Sequence, residues 1–509
     1  MNETGKAIRF GGFEIIASKT FTVYRSESVC FLFSGRFHKN GISLQELGCK
    51  LEKECPDIVL KKLNGIFSVA VIKNNKLYMK RSLHTGPRMY YATVGKTFFI
   101  ADNCFDILNW REFHPKKINV IMALKYISNE ALLPHDTFIE GIQKIPDGQC
   151  ICINNDLMIK TQHDEYSEAV TSSSVLQCIT ENISGSLDNR ETGLLFSGGL
   201  DSAIVFHALI ECGRNFKAYH FISERKHDSE TDFASAYCRR YGVEFIEVER
   251  TMDFSESAYD TLLPSEPDDI PLVFEYSEKH NLQHALRGAE KLFYCGHGGD
   301  HIFGQNPSPL MGIDAFRRRG LMFMHKKIME YTRLKGCRYT DILTQNYRAY
   351  RSGVPDLTPA KLQHINDMRM ASAQFLTPDP GGQPNLISPF LFTNVVQHYA
   401  GTDVFDLFNA SYDRYSIRSE AFARYGSDIF WKKTKRSSSQ MIFSILAKKH
   451  NEIIHSVLST GVLDILSIRV EDFINGINEN ATVQLTRQLP CLINLYKLSK
   501  YIQLTKINV

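Results

Sequence analysis

The chain has 509 residues, 43% of them hydrophobic and 23% charged, with a formal net charge of +3 and twelve cysteines without a CxxC pair. This length predicts two to four domains at roughly 150 residues each, and the near-neutral charge excludes a general attraction to nucleic acid or membranes. No apolar run approaches the roughly 18 residues of a membrane span, and the N-terminus carries no apolar signal core. We therefore expect a cytosolic protein with reduced thiols, no membrane span and no nucleic-acid partner.

The first 165 residues have a strand-rich pattern. Residues 63–92 alternate apolar and polar side chains around the turn "KNNK", residues 141–156 indicate a second hairpin, and the polar stretch from residue 161 is typical of a linker. These segments resemble the glutaminase domain of class II amidotransferases, which implies an antiparallel sheet domain over residues 1–165. Those enzymes use a cysteine at residue 1 of the mature chain as nucleophile, whereas Asn2 follows Met1 here. We therefore expect no release of ammonia from glutamine.

Residues 175–249 alternate between helices and strands. The segment from residue 175 has helical spacing, and the short strands "TGLLF", "KAYHFIS" and "EFIEVE" are separated by helices that end near Gly213 and Gly242. This order predicts a parallel sheet covered by helices, so the fold class is α/β with an α+β N-terminal domain. Ligands of such sheets bind beyond the carboxyl ends of the strands.

The loop "SGGLDS" lies at one of these strand ends, just before a helix. Its two glycines permit close backbone approach, the helix N-terminus offers unpaired N–H groups, and its two serines add hydroxyl donors, which together suit phosphate. The carboxylate of Asp201 would repel a bare phosphate, so the loop also predicts a Mg²⁺ ion between them. The stretch is neither a Walker A motif nor a GxSxG elbow. It resembles the pyrophosphate loop of the ATP pyrophosphatase superfamily, which implies that ATP is held by Ser197, Gly198, Gly199, Leu200, Asp201 and Ser202.

A second glycine-rich stretch, "YCGHGGDHIFGQNP", covers residues 294–307. His297 and His301 have the spacing of a zinc pair, but the glycines between them disfavour a helix and the HExxH glutamate is missing. The stretch resembles the second magnesium motif of asparagine synthetase and β-lactam synthetase. The resemblance implies that Asp300 joins Asp201 as a metal ligand and that Gly296 lies at the nucleotide. Those two families carry glutamate or tyrosine where His297 stands, at a position that faces the acceptor, so a different acceptor substrate is implied.

A third stretch, "SDIFWKKTKRSSSQ" at residues 427–440, concentrates positive charge. A charge run is usually a solvated face, and we interpret Lys432, Lys433 and Arg436 in this way. In the synthetases that the two glycine-rich loops resemble, a lysine at the matching "TK" position stabilises negative charge on the acyl-adenylate and pyrophosphate. That resemblance implies Lys435 as the catalytic lysine, with Lys433 as the alternative if the register differs.

A synthetase domain over residues 175–509, preceded by a glutaminase-like domain without its cysteine, resembles β-lactam synthetase and the lasso-peptide cyclases. Long matches, among them "GLMFMHKKI" (320–328) and "MASAQF" (370–375), favour the lasso-peptide cyclases. The resemblance implies that ATP and Mg²⁺ adenylate an internal Asp or Glu carboxylate of a ribosomal precursor peptide. The N-terminal amine of the peptide then closes a macrolactam, with release of AMP and pyrophosphate. A leader peptidase of the same pathway is the implied partner.

His297 is our candidate for the base that deprotonates this amine, because histidine titrates near neutral pH, although a purely local hydrogen-bonding role stays open. The helical region 310–400 is expected to wall the peptide cavity, with a loop near 378–384 at its mouth. A small-molecule amide synthetase of asparagine or β-lactam type shares every ATP-site residue and stays an alternative. A non-catalytic scaffold and a tRNA-modifying enzyme are two further alternatives. A scaffold would not need the intact ATP site. A tRNA-modifying enzyme would need a larger basic face than "RRR" at 317–319.

Overall fold

The computed structural model describes residues 5–37, 42–83, 87–114, 116–130, 132–154, 158–167, 174–222, 229–249, 264–270, 291–351, 358–373, 386–433, 451, 453–471 and 485–507. The protein is α/β, with two mainly antiparallel sheets in its N-terminal third and a parallel sheet further along the chain, as predicted. The strands are β1 (Gly5–Phe10), β2 (Phe13–Ser18), β3 (Thr22–Arg25), β4 (Cys30–Phe37), β5 (Gly65–Lys73), β6 (Lys76–Arg81), β7 (Tyr90–Val94), β8 (Thr97–Ala101), β9 (Ile142–Lys144), β10 (Gln149–Asn154), β11 (Ile159–Asp164), β12 (Glu191–Leu195), β13 (Phe216–Ile222), β14 (Glu244–Glu249), β15 (Lys291–Tyr294) and β16 (Leu386–Ile387). The helices are α1 (Leu44–Lys53), α2 (Pro56–Lys61), α3 (Cys104–Leu108), α4 (Val120–Ile127), α5 (Val175–Ser186), α6 (Leu200–Glu211), α7 (Ser229–Arg240), α8 (Gly299–Ile302), α9 (Met311–Arg319), α10 (Leu321–Lys335), α11 (Tyr339–Arg351), α12 (Pro359–Ala373), α13 (Thr393–Gly401), α14 (Tyr415–Tyr425), α15 (Val462–Ile465) and α16 (Leu485–Thr505).

The two N-terminal sheets pack face to face. The first has the strand order β1-β2-β8-β7-β9, and the second has the order β11-β10-β6-β5-β4-β3. Alternate residues of each strand point toward the other sheet, so Ile15 and Ile100 of the first meet Leu32 of the second in a buried core. Helices α1 and α2 cover the outer face of the second sheet through Leu47 and Leu60.

The predicted turn at "KNNK" is confirmed. Lys73 pairs with Lys76 across it, and Asn74 and Asn75 both take positive φ, 52° and 54°, as a two-residue hairpin turn requires. Strand β7 lies at the end of the predicted 63–92 hairpin segment but does not join β5 and β6. It pairs with β8 and β9 in the first sheet.

Two other predictions for this region are wrong. Residues 141–156 do not form a hairpin, because β9 pairs with β7 in the first sheet whereas β10 pairs with β6 in the second. The polar stretch from residue 161 is not all linker, since it begins inside strand β11, which pairs with β10. Apolar alternation identifies a strand, but the partner is chosen by packing over long distances in the sequence.

The parallel sheet has the strand order β14-β13-β12-β15-β16, and every neighbouring pair in it runs parallel. The chain moves from β12 outward through β13 to β14, and then returns to place β15 on the other side of β12. This reversal makes the gap between β12 and β15 the topological switch point, where a crevice opens beyond the strand ends. The "SGGLDS" and "CGHGGD" loops follow these two strands and therefore lie side by side.

Helices dominate the region from residue 310 to 400, as predicted, with α9 to α13 in its described part. Strand β16 adds the last edge of the parallel sheet through its pairing with β15. The loop predicted near 378–384 lies outside the described residues. All twelve cysteines lie in the described part of the chain, and none of them forms a disulfide bond.

The N-terminal third and the rest of the chain share hydrophobic cores. Ile66, Leu83 and Tyr166 pack in one cluster with the helices that cover the parallel sheet. A second cluster joins α3 and α4 to the C-terminal helix α16. The division into domains at residues 1–165 and 175–509 stays a prediction.

A short acidic segment fastens the later part of the chain to the first sheet. We call this segment, residues 265–270, the acidic anchor. Both oxygens of Asp269 accept hydrogen bonds from the guanidinium of Arg88 at 2.6 Å. Glu266 Oε1 accepts a bond of 2.6 Å from Lys144 Nζ. Burial alone would raise the pKa of Glu266, but Lys144 and Arg88 outweigh burial and hold that pKa below its ordinary value. Glu266 is therefore ionised and paired with Lys144 at neutral pH.

We predict that Asp269→Asn lowers the free energy of unfolding by about 3 kcal/mol, because Arg88 would stay buried without its bidentate partner. Glu14→Gln is the matched control, since it removes a carboxylate from the exposed pair with Arg9. The control should leave the unfolding curve almost unchanged. Urea unfolding followed by circular dichroism measures both variants, and equal losses would contradict a role for the anchor.

Candidate functional site

The loop between β12 and α6, here called the phosphate loop, presents hydrogen-bond donors at the switch point. Gly198 takes φ +72°, a conformation that favours glycine, and so turns the chain directly after the strand. The Gly199 N–H donates to Ser197 Oγ at 3.3 Å, and Ser197 Oγ lies 3.1 Å from Ser202 Oγ. Helix α6 starts from a glycine N-cap, which has no side chain to cover the N–H groups of the first turn. Hydroxyl groups and the first backbone N–H groups of a helix are donors that suit phosphate.

The "CGHGGD" loop packs directly on the phosphate loop. A Cβ atom on Gly296 would lie 2.7 Å from the Ser202 backbone nitrogen, and a Cβ atom on Gly299 would lie 2.6 Å from Asp201 Oδ1. Backbone atoms surround the Gly296 position, which therefore requires glycine, whereas a Cβ atom at Gly299 would push the Asp201 carboxylate aside. The two loops thus form one continuous surface at the ends of β12 and β15.

Asp201 and Asp300 come together, as the sequence predicted. One nitrogen, Nη1 of Arg414, donates to both oxygens of Asp201 at 3.0 and 3.2 Å and to Oδ1 of Asp300 at 2.8 Å. The side-chain amide of Gln305, with its nitrogen toward Asp300, donates to both oxygens of that carboxylate at 2.8 and 3.0 Å. Two carboxylates that converge on one positive group are a donor set that fits Mg²⁺, which takes one or two carboxylates and completes its shell with phosphate and water.

Arg414 and Arg418 are site residues that the sequence interpretation missed. Arg414 is buried and takes φ +51° just before α14 begins. One turn later, Arg418 donates to Asp413 Oδ1 at 3.0 Å and to the Phe430 carbonyl at 2.6 Å. The available signal was an aspartate followed by two arginines four residues apart, "DRYSIR". That signal is local and does not reveal that the pair faces Asp201.

A cavity of about 400 Å³ opens beside the phosphate loop. Gly199, Leu200 and Asp201 form part of its wall, together with the loop that leads into α14. Positively charged side chains dominate the rest of the lining, and they are Arg333, Arg414, Arg418, Lys432 and Lys433. Such a concentration of positive charge in a concave site favours a polyphosphate ligand.

Lys433 is exposed to solvent, as interpreted, whereas Lys432 is half-buried. Both line the cavity, with Lys432 Nζ 4.1 Å from the centre of the Phe233 ring and Lys433 Nζ 4.6 Å from that of Tyr412. The rings lie under the ammonium groups and favour their positions through cation–π attraction. Lys435 and Arg436 lie outside the described residues, so the role of Lys435 stays a prediction.

His297 lies on the side of its loop that faces α12. Its Nε2 is 3.0 Å from the Ala371 carbonyl, and its own carbonyl accepts a bond of 2.7 Å from Ser388 Oγ. Burial lowers the pKa of His297, which keeps the imidazole neutral at pH 7. Over the described ranges, no three His, Cys, Asp or Glu side chains converge as a metal-binding group.

Comparison with known proteins identifies the family. The asparagine synthase family profile matches residues 186–475, more than half of the chain. The microcin J25-processing protein McjC of Escherichia coli is 43% identical over 496 residues, which cover 97% of each chain. The chain belongs to the asparagine synthase family. Within that family it groups with McjC, as the resemblance to lasso-peptide cyclases predicted.

As an asparagine synthase family member, the protein is an ATP-dependent amide-forming ligase. Among solved structures, a glutamine phosphoribosylpyrophosphate amidotransferase from B. subtilis is 9% identical with a TM-score of 0.18, over 54% of this chain and 63% of its own. An allosteric regulatory enzyme of purine biosynthesis gives the same identity and TM-score over 47% and 58%. The chain spans less than two thirds of either structure. In the described part of this asparagine synthase family member, no helix combines the length and hydropathy needed to cross a membrane.

We predict that Gly299→Ala lowers ATP-dependent pyrophosphate release by about 10²-fold, because the added methyl group displaces the Asp201 carboxylate and a shift near 1 Å costs that much. Gly213→Ala is the control. Its Cβ atom meets nothing within 4 Å, although its φ of +64° disfavours alanine. The control should lose some stability and keep its activity, and parallel assays of pyrophosphate and unfolding separate the two effects.

Proposed function

We propose that this protein is a lasso-peptide cyclase. It would adenylate an internal Asp or Glu side chain of a processed precursor peptide and join that carbonyl carbon to the N-terminal amine of the peptide. The observation that carries this proposal is the 43% identity with McjC along nearly the whole chain, since McjC is a microcin J25-processing protein. The convergence of Asp201 and Asp300 at the phosphate loop supports it chemically.

We propose that the phosphate loop, from Ser197 to Ser202, and Gly296 hold the phosphates of ATP, while Asp201 and Asp300 hold Mg²⁺. A Mg²⁺ ion there supplies charge neutralisation to the phosphates. The side chains in the cavity wall add positive charge where pyrophosphate departs. Lys435 is our candidate for stabilising the acyl-adenylate, with Lys433, which lines the cavity, as the alternative.

The reaction needs two bond exchanges. In the first, a carboxylate oxygen of the peptide bonds to the α phosphorus of ATP and the bond to pyrophosphate breaks. In the second, the amine nitrogen bonds to the acyl carbon, the bond to AMP breaks, and the nitrogen, initially an ammonium group, loses two protons and keeps one as the amide N–H. A free N-terminal amine has a pKa of about 7.7 to 8.0 and is largely protonated at neutral pH, so a base is needed to remove its proton before it attacks. Neutral His297 is our candidate for that base.

A lasso peptide is threaded through its own ring, and this places a further requirement on the site. The tail of the peptide must already lie inside the ring when the bond forms, at a cost of roughly 1 to 2 kcal/mol for each backbone residue that is fixed. Preorganised binding can offset this cost by about 7 to 11 kcal/mol. We propose that helices from the 310–400 region hold the folded peptide, and that a leader peptidase of the same pathway supplies it in the cytosol, where ATP and reduced thiols coexist.

The deciding experiment incubates a candidate precursor peptide with this protein, a leader peptidase, ATP and Mg²⁺. A core peptide that is one water lighter and resists carboxypeptidase, formed together with AMP and pyrophosphate, supports the cyclase. If AMP forms only with small amino-acid-like acids and every peptide stays linear, the cyclase proposal fails. An amide synthetase of asparagine or β-lactam type would then be the better account, because it shares the same ATP-site residues.

We predict that Asp201→Asn and Asp300→Asn each lower AMP formation by about 10²-fold or more, since each removes half of the charge that would hold the metal. Asp406→Asn is the matched control, because Asp406 pairs with Arg319 at an exposed position. It should keep full activity. A scaffold protein would retain its biological effect in all three variants, and that result would exclude the enzymatic proposal.

We predict that His297→Gln slows macrolactam formation by about 10² to 10⁴-fold while AMP release continues. Since burial lowers the pKa of His297, against smaller opposing effects of the Ala371 carbonyl and Asp300, the acid limb of the wild-type single-turnover profile should lie below pH 6.5. Activity is lost as pH falls through this limb, because the imidazole becomes protonated. A variant that retains the limb and the rate would contradict a role for His297 as base.

A further inference from the structure

A guanidinium group occupies the point where the two site carboxylates converge. Arg414 Nη1 lies within 2.8 to 3.2 Å of three oxygen atoms, two from Asp201 and one from Asp300. The Arg414 side chain is 6% exposed, so water screens these contacts little. Arg414 therefore neutralises the same two carboxylates that suit a divalent cation.

The backbone of Arg414 is held in an unusual conformation. A non-glycine residue with φ +51° pays a conformational cost, and such residues persist where the surrounding structure imposes them. Asp413, the neighbouring residue, accepts from Arg414 Nε at 3.4 Å and from Arg418 Nη2 at 3.0 Å. This arrangement aims the guanidinium at Asp201 and Asp300 from the start of α14.

We propose that Arg414 is an exchangeable counter-cation of the ATP site, which neutralises Asp201 and Asp300 until a divalent cation arrives with the nucleotide and replaces it. The inference rests on the proposed function, because it takes these two aspartates as the metal ligands. A divalent cation that comes alone must break three charge-assisted hydrogen bonds and leave the buried guanidinium with Asp413, at 3.4 Å, in place of the two site carboxylates. A cation that comes with ATP also brings phosphate oxygens, which bind guanidinium groups well.

The other positive groups of the cavity make this exchange depend on the nucleotide. Arg418, Lys432 and Lys433 line the same space, so the displaced Arg414 would face like charges there. Only an anion removes that repulsion. Metal and nucleotide should consequently bind with positive coupling, each raising the affinity for the other.

The test measures Mn²⁺ binding to the full-length protein, from the electron paramagnetic resonance signal of free Mn²⁺, without nucleotide or peptide. Arg414→Gln removes the competing charge and should tighten Mn²⁺ binding by about tenfold or more. Arg414→Lys keeps the charge on a group that cannot reach both carboxylates with the same planar geometry, and it should fall between the wild type and the Gln variant. Lys432→Gln controls for the general loss of one cavity cation and should change Mn²⁺ affinity by less than about threefold.

Equal Mn²⁺ affinity in the wild type and Arg414→Gln, or weaker binding in the variant, would overturn the proposal and leave Arg414 as a structural residue. If Arg414→Gln does not fold, as judged by circular dichroism, an unchanged affinity in Arg414→Lys overturns it equally well. Failure of the proposed function would be seen separately, as a wild type that forms no AMP from any peptide. Because the Mn²⁺ titration uses no peptide, the two outcomes are distinguishable.

Discussion

Close packing between two strand-end loops is the constraint on which the site depends. Gly296 and Gly299 let one loop lie against the backbone of the other, next to Asp201. The contact exists because β12 and β15 are neighbours at the point where the strand order reverses. A side chain at Gly296 would separate the loops, and one at Gly299 would displace the Asp201 carboxylate. The position of Asp300 relative to Asp201 is thus set by backbone packing.

Charge balance is the second constraint, and it follows from the first. Bringing two carboxylates together at the edge of a cavity is unfavourable unless a positive group lies between them. Arg414 supplies that group, and its pKa is raised because Asp201, Asp413 and Asp300 together outweigh the burial that would lower it. Asp201 and Asp300 are therefore paired in the folded protein, with the Arg414 guanidinium between them.

Sequence patterns predicted the local parts of this architecture and missed the parts built over long distances. The helix and strand order from residue 175, the hairpin turn at Asn74 and Asn75, and both glycine-rich loops depend on neighbouring residues, so a short window suffices to recognise them. Arg414 reaches Asp201 across 213 residues, and no pattern in either segment indicates the contact. The hairpin predicted at 141–156 is wrong for the same reason. The apolar alternation there does mark strands, but the two strands pair in different sheets.

Contacts of the N-terminal third lead to the side of the site where we propose that the acceptor binds. The Leu83 carbonyl accepts a hydrogen bond of 2.7 Å from Ser372 Oγ at the end of α12. The neighbouring residue, Ala371, offers the carbonyl that lies 3.0 Å from His297 Nε2. One turn earlier on the same helix, Arg369 pairs with Asp164 of strand β11 at 2.9 Å. The N-terminal third thus holds the end of the helix whose Ala371 carbonyl contacts His297.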